Sequence, residues 1–187
     1  MRMSMLITLF ATLLAGTAAS ANETLIKTAT GSAIACVPMS STSTVPPWEQ
    51  THGKVQHRGS STENVVLFCH VAMESIDLVT DISPPFFAFV SWPKVMTIKY
   101  VDPDESGRGS SILAELKFAD DAGNMVDMAV ADSDAQGAGT GIRTMDAAIT
   151  GFPDGKLTFT KGHLFVQLTI KRTSTGLLPA VYGYTLH

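Results

Sequence analysis

Much is missing from this chain, and each absence narrows what it can be. Only two of its 187 residues are cysteine, Cys36 and Cys69, and its histidines are dispersed, so it has too few soft ligands for a zinc centre. Lysines and arginines are scattered singly apart from Lys171-Arg172, which leaves no basic stripe and argues against a nucleic-acid partner. Beyond the N-terminal segment no apolar run is long enough to cross a bilayer. The longest candidate, residues 82–98, is broken by Pro84, Pro85, Pro93 and Lys94. Catalytic signatures are absent too: there is no Gly-x-Ser-x-Gly elbow, no phosphate-cradling Gly-x-x-x-x-Gly-Lys and no His-Glu-x-x-His. Gly137, Gly139 and Gly141 make a Gly-x-Gly-x-Gly run without the strand-to-helix setting of a nucleotide loop. No catalytic residue is assigned. A pair of carboxylates for glycoside hydrolysis is a tertiary arrangement that a sequence does not display.

What is present begins with an address. Arg2, an apolar stretch over residues 5–15 and Ala19-Ser20-Ala21 together form a secretory signal peptide, residues 1–21, with cleavage expected before Asn22. The remaining residues, 22–187, are read as a single β-sandwich domain, secreted or periplasmic. Without Arg2 the 13 basic residues become 12, against 17 acidic, a formal charge of −5. Export agrees with the cysteine count, because an even pair in an oxidising compartment is most simply one disulfide between Cys36 and Cys69. The plainer alternative is two buried free thiols acting as small hydrophobes.

The mature chain reads as short alternating runs separated by turns rich in Gly, Asp, Asn and Pro, the pattern of an all-β domain. Strands are expected over residues 32–37, 64–71, 86–91, 95–101, 111–118, 125–131, 156–160, 163–172 and 180–186. In the first, Ile34 and Cys36 share a face; in the second, Val65, Leu67, Cys69 and Val71 do. The clearest alternation puts Leu164, Val166, Leu168 and Ile170 inward and Gln167, Thr169 and Lys171 outward. About eight to ten strands favour an antiparallel β-sandwich of jelly-roll-like form. Residues 141–152 dissent: Ile142, Met145, Ile149 and Phe152 stand at near-helical spacing, which suggests a short helix. Residues 40–53 read as a Ser/Thr/Pro-rich loop.

The run Gly162-His163-Leu164-Phe165-Val166-Gln167-Leu168-Thr169-Ile170-Lys171-Arg172, followed by Pro179-Ala180-Val181-Tyr182-Gly183-Tyr184, resembles the last strand pair of uncharacterised secreted bacterial β-sandwich proteins with a jelly-roll-like form. The early Cys36-Val37-Pro38 and Cys69 at the end of an apolar strand belong to the same resemblance. It covers the two ends of the mature domain and leaves the middle unmatched. It implies fold and export, and carries no activity.

Three groups of residues could carry function. His52 and His57, five apart and without flanking cysteines, read as ordinary exposed histidines. The acidic turns hold Asp102, Asp104 and Glu105; Asp120, Asp121 and Asp127; and Asp132 and Asp134. Aspartate favours turns for its own bonding to backbone N–H groups. If a metal binds, the oxygen donors suit calcium, with Asp120, Asp121 and Asp127 as the candidate group. No other cofactor is expected. Phe86, Phe87, Phe89 and Trp92 form an aromatic strand with both faces apolar. It is either a covered central strand or a binding patch for a protein partner, a second copy or a surface glycan.

The sequence therefore points to an exported, non-enzymatic structural or interaction protein of the cell envelope or extracellular space. The alternative is a carbohydrate-binding module, with calcium assisting. A small hydrolase with carboxylates on its loops is the third.

Overall fold

A computed structural model of the protein describes residues 24–26, 29–39, 45–72, 89–91, 93–104, 107–136, 141–150 and 162–187. The strands among them are β1 (Thr24–Ile26), β2 (Ala29–Ser32), β3 (Val37–Pro38), β4 (Trp48–Thr51), β5 (Lys54–His57), β6 (Val65–His70), β7 (Phe89–Ser91), β8 (Val95–Val101), β9 (Ser110–Asp120), β10 (Met125–Asp132), β11 (Arg143–Ala148), β12 (Gly162–Arg172) and β13 (Ala180–Leu186). Two single 3-10 turns, Ala33–Ala35 and Ser133–Ala135, complete the regular structure, and the described residues contain no α-helix.

Eleven strands build two antiparallel sheets. One has five strands in the order β10-β9-β12-β6-β3; the other has six, β11-β8-β13-β5-β4 with β2 also paired to β13. β1 and β7 form a separate parallel pair. This is the all-β sandwich that the alternation called for.

The core lies between the two inner faces. From the five-stranded sheet come Leu67, Ile112, Leu116, Leu168 and Ile170, and from the six-stranded sheet Met96, Ile98, Met145 and Leu186, all fully buried. Burying each such side chain stabilises the fold by about 1.5–3 kcal/mol. Tyr184 crosses the core, its hydroxyl donating to the His70 carbonyl of the opposite sheet at 2.8 Å. Cys36 and Cys69 are bonded, with sulfurs 2.04 Å apart, next to the rung that pairs Val37 with Phe68. Among the described residues no helix is long and apolar enough to cross a membrane.

Four expectations need correction. The suggested helix over residues 141–152 is, through residue 148, the strand β11, held to β8 by six consecutive rungs. Met145 is buried while Ile142 is 55% exposed, so pairing at a sheet edge outweighed the near-helical spacing of apolar residues. Residues 33–35 turn instead of extending, and Ile34 is 44% exposed although Cys36 is buried. Part of the presumed loop 40–53 is the strand β4. It turns into β5 through His52 and Gly53, both with positive φ (48° and 77°), as a two-residue hairpin of the favoured twist requires. That hairpin places His57 inside the protein, fully buried, where an exposed histidine was expected.

Candidate functional site

The six-stranded sheet carries a groove on its outer face. Alternation along β8 turns Met96, Ile98 and Tyr100 inward and leaves Thr97 and Lys99 outward. The registers then assemble two rows across four strands. One row runs Asp146–Thr97–Thr185–Thr30 and the other Thr144–Lys99–Gly183–Ser32. Every position in the second row has a side chain except Gly183, and there the face sinks.

The depression is built into the backbone. A Cβ on Gly183 would overlap the Gly31 carbonyl on β2, so this position has to be glycine for β2 to lie against β13. One residue earlier, the β13–β8 register shifts between Val181 and Gly183. At the same point β13 exchanges its other neighbour, β5, for β2. The bulge turns Tyr182 onto the groove, with the Lys99 ammonium 5.7 Å from its ring centroid, a cation–π distance. The cavity measures about 400 Å³, within the range of small-ligand sites.

Hydroxyls dominate the lining. Thr97 donates to Asp146 Oδ1 at 2.6 Å and lies 3.0 Å from His187 Nε2. With its own hydrogen committed to Asp146, Thr97 Oγ1 accepts from the His187 ring. Lys99 is the single cation among the lining residues.

A second polar group is sealed inside one end of the sandwich. Ser133 Oγ accepts the Ile112 N–H at 2.8 Å and donates to Asp102 Oδ2 at 2.6 Å. Ser110 Oγ lies 2.6 Å from Asp102 Oδ1 and also contacts Asp104 Oδ1. One hydroxyl hydrogen cannot serve two carboxylates. The chain is complete when Asp102 carries a proton, donates it to Ser110, and Ser110 donates to Asp104. The electrostatics agree: burial pushes the Asp102 carboxyl above its usual range, with the Asp104 charge adding to it. Burial alone would raise Asp104 too, but the Ser110 hydroxyl, Asp102 and the Gly109 and Ser110 N–H groups hold it below.

His57 shares this end. Neither ring nitrogen makes a hydrogen bond of good geometry among the described residues; burial, then the Arg172 charge, lowers its pKa from 6.5 to about 4, against a partial pull upward from the Ile170 and Ser61 backbone. The folded state thus keeps His57 neutral while the unfolded chain takes up a proton as pH falls below 6.5. Its contribution to stability is complete above pH 6.5 and is lost on the way down to pH 4, about 3 kcal/mol in all. Asp102, with its raised pKa, works in the opposite direction as pH falls. The His57→Met variant isolates the histidine: urea midpoints measured from pH 7 to pH 4 should fall less steeply than in the wild type. Parallel slopes would reject the assignment.

The residues singled out from sequence fare unevenly. Cys36 and Cys69 come together. Phe86, Phe87 and Trp92 lie outside the described residues, as does Glu105, and Phe89 is placed only as a backbone partner of Thr24 in the parallel pair. The three candidate calcium ligands do not converge. Asp120 caps its own turn, accepting from the N–H groups of Ala122 and Asn124 and from the Asn124 side chain. Asp127 pairs with Lys117 at 2.6 Å, and Asp121 stands exposed in the turn. Among the described residues no three His, Cys, Asp or Glu side chains converge as a metal site would need. Sequence reasoning missed the groove altogether, although a glycine inside the strand-like run 180–186 is a recognised mark of a bulge or a close backbone approach.

On the other sheet, the outward residues Phe68 and Phe165 sit with ring centroids 5.8 Å apart, beside a chain of polar contacts from Gln167 through Glu115 and Lys117 to Asp127. Compared with known proteins, the chain matches no family model, no curated protein and no solved structure.

Proposed function

We propose that this is an exported, non-enzymatic interaction protein of the cell envelope or extracellular space, secreted or periplasmic, that binds its target on the outer face of the six-stranded sheet. The observation that carries this reading is the groove over Gly183, where an otherwise regular sheet face is hollowed by a glycine and flanked by a bulged tyrosine. The secretory pattern of residues 1–21 and the Cys36–Cys69 bond support export. The Asp102–Asp104 pair is a structural tie in this reading, since Asp102 and the Ser110 that links it to Asp104 are buried.

Co-sedimentation with envelope material from the source cells tests the proposal. Lys99→Glu reverses the groove's single cation at an exposed position and should weaken retention about tenfold. Phe165→Ser on the opposite sheet should leave retention unchanged. Equal retention of all three proteins, or loss only in Phe165→Ser, would move the binding face elsewhere.

A further inference from the structure

We infer that the ligand of this groove is a carbohydrate, with one pyranose ring seated over Gly183 against Tyr182; the inference rests on the binding face proposed above and names what that face takes. Four observations lead to it.

The first is chemical. Thr30, Ser32, Thr144 and Thr185 offer hydroxyls that can each donate and accept, and Thr97, its hydrogen held by Asp146, adds an acceptor oxygen, which matches a ligand whose own groups are hydroxyls. A phosphate or nucleic-acid ligand would call for clustered cations, and Lys99 stands alone here and is already drawn to the Tyr182 ring.

The second concerns what the groove cannot accept. β13 is hydrogen-bonded on both sides, to β8 along one edge and to β5 and then β2 along the other. The floor strand itself therefore has no edge left for a peptide to pair with by strand addition.

The third is the floor itself. Gly183 raises no side chain between its row neighbours Lys99 and Ser32, and the Gly31 carbonyl fills the place of its Cβ, so the floor there is bare backbone. Neighbouring strands lie about 4.8 Å apart, so this bare strip is close to the breadth of a single sugar ring.

The fourth is the wall. Tyr182 is turned onto the groove by the bulge and is only partly exposed. An aromatic face is electron-rich and attracts the C–H groups on the flat side of a pyranose, while its hydroxyls, pointing outward around the ring, meet Thr97, Thr185 and Ser32.

The test is calorimetric titration of the purified protein with hexasaccharides of β-1,4-glucan, β-1,3-glucan, β-1,4-linked N-acetylglucosamine and α-1,4-glucan, and with a polyuronate of the same length. At least one neutral oligosaccharide should bind, and Tyr182→Ala should weaken it about tenfold or more. Thr97→Val, which keeps the side-chain shape and removes the hydroxyl, provides a second variant, and thermal midpoints confirm that both are folded. Phe165→Ser should bind as the wild type does. The inference is overturned if no neutral oligosaccharide binds at millimolar concentration, or if Tyr182→Ala and Thr97→Val both bind as tightly as the wild type. Binding of the polyuronate alone also overturns it, because the seat would then be ionic. When every sugar fails but Lys99→Glu still weakens retention on envelope material, the binding face stands and only the ligand class falls. When retention is also unaffected, both fall.

Discussion

Replacing Cys36 and Cys69 together by alanine should lower the free energy of unfolding by about 4 kcal/mol. The bond joins residues separated by 33 positions, and cutting it lets the unfolded chain explore conformations that the closed loop denies it. The folded state loses less, since both side chains are buried and alanine leaves only a small void. Two signatures should accompany the loss in urea: a lower midpoint and a steeper dependence on denaturant, because the freed unfolded chain exposes more surface. Small domains hold only about 5–15 kcal/mol of stability, so this bond is a large share of what keeps the fold together. A loss below about 1 kcal/mol would mean that the unfolded chain is already confined without the bond.

Arg172→Met should cost about 3 kcal/mol. Arg172 closes β12 and is 3% exposed. Its guanidinium donates to the carbonyls of Ser61 at 2.7 Å, Gly59 at 2.6 Å and Leu177 at 3.0 Å. One side chain thereby fastens the β5–β6 connection and the β12–β13 connection to the end of the sandwich. Removing it strands three carbonyls, which outweighs the relief of no longer burying a charge. Arg172→Lys should recover little, because a single ammonium cannot reach three acceptors spread around a planar fork. Hydrogen exchange should quicken at residues 59–61 and 177 in both variants. Stability within about 0.5 kcal/mol of the wild type in Arg172→Met would show that the two connections hold without it.

The parts of the fold that could be read from the sequence are those in which alternation is long enough to fix a face. β8 and β13 fall on the expected residues 95–101 and 180–186, and Leu164, Val166, Leu168 and Ile170 all face the core as their period requires. The disulfide could be read for a related reason: the face of Cys69 follows from the strand around it. Cys36 reached the same bond by another route, through a 3-10 turn that no periodicity announced. β11 was hidden because Met145 and Ile149 sit at a spacing that suits a helix, and only the six rungs to β8 decide between the two. The β4–β5 hairpin was hidden because its turn is His52-Gly53, with histidine where asparagine is the familiar signal. That miss carried His57 with it, from an assumed surface to the sealed end.

The groove was out of reach for a different reason. Its residues belong to four strands, and each looks ordinary in its own segment: a threonine, a lysine, a glycine in a strand. Register brings them together, and register is set by pairings between residues as far apart as Thr30 and Thr185. The sealed polar group has the same character, since Asp102, Ser110 and Ser133 meet only once β8, β9 and the turn after β10 converge.

The most direct measurement of the central claim is the reactivity of Lys99. Lys54, Lys94 and Lys171 lie away from the groove and serve as internal references in the same protein. Acetylation at limiting reagent, read residue by residue by mass spectrometry with and without envelope material, should show Lys99 protected several-fold while the references react as before. Unchanged reactivity at Lys99 under conditions where the protein is bound would contradict binding on this face.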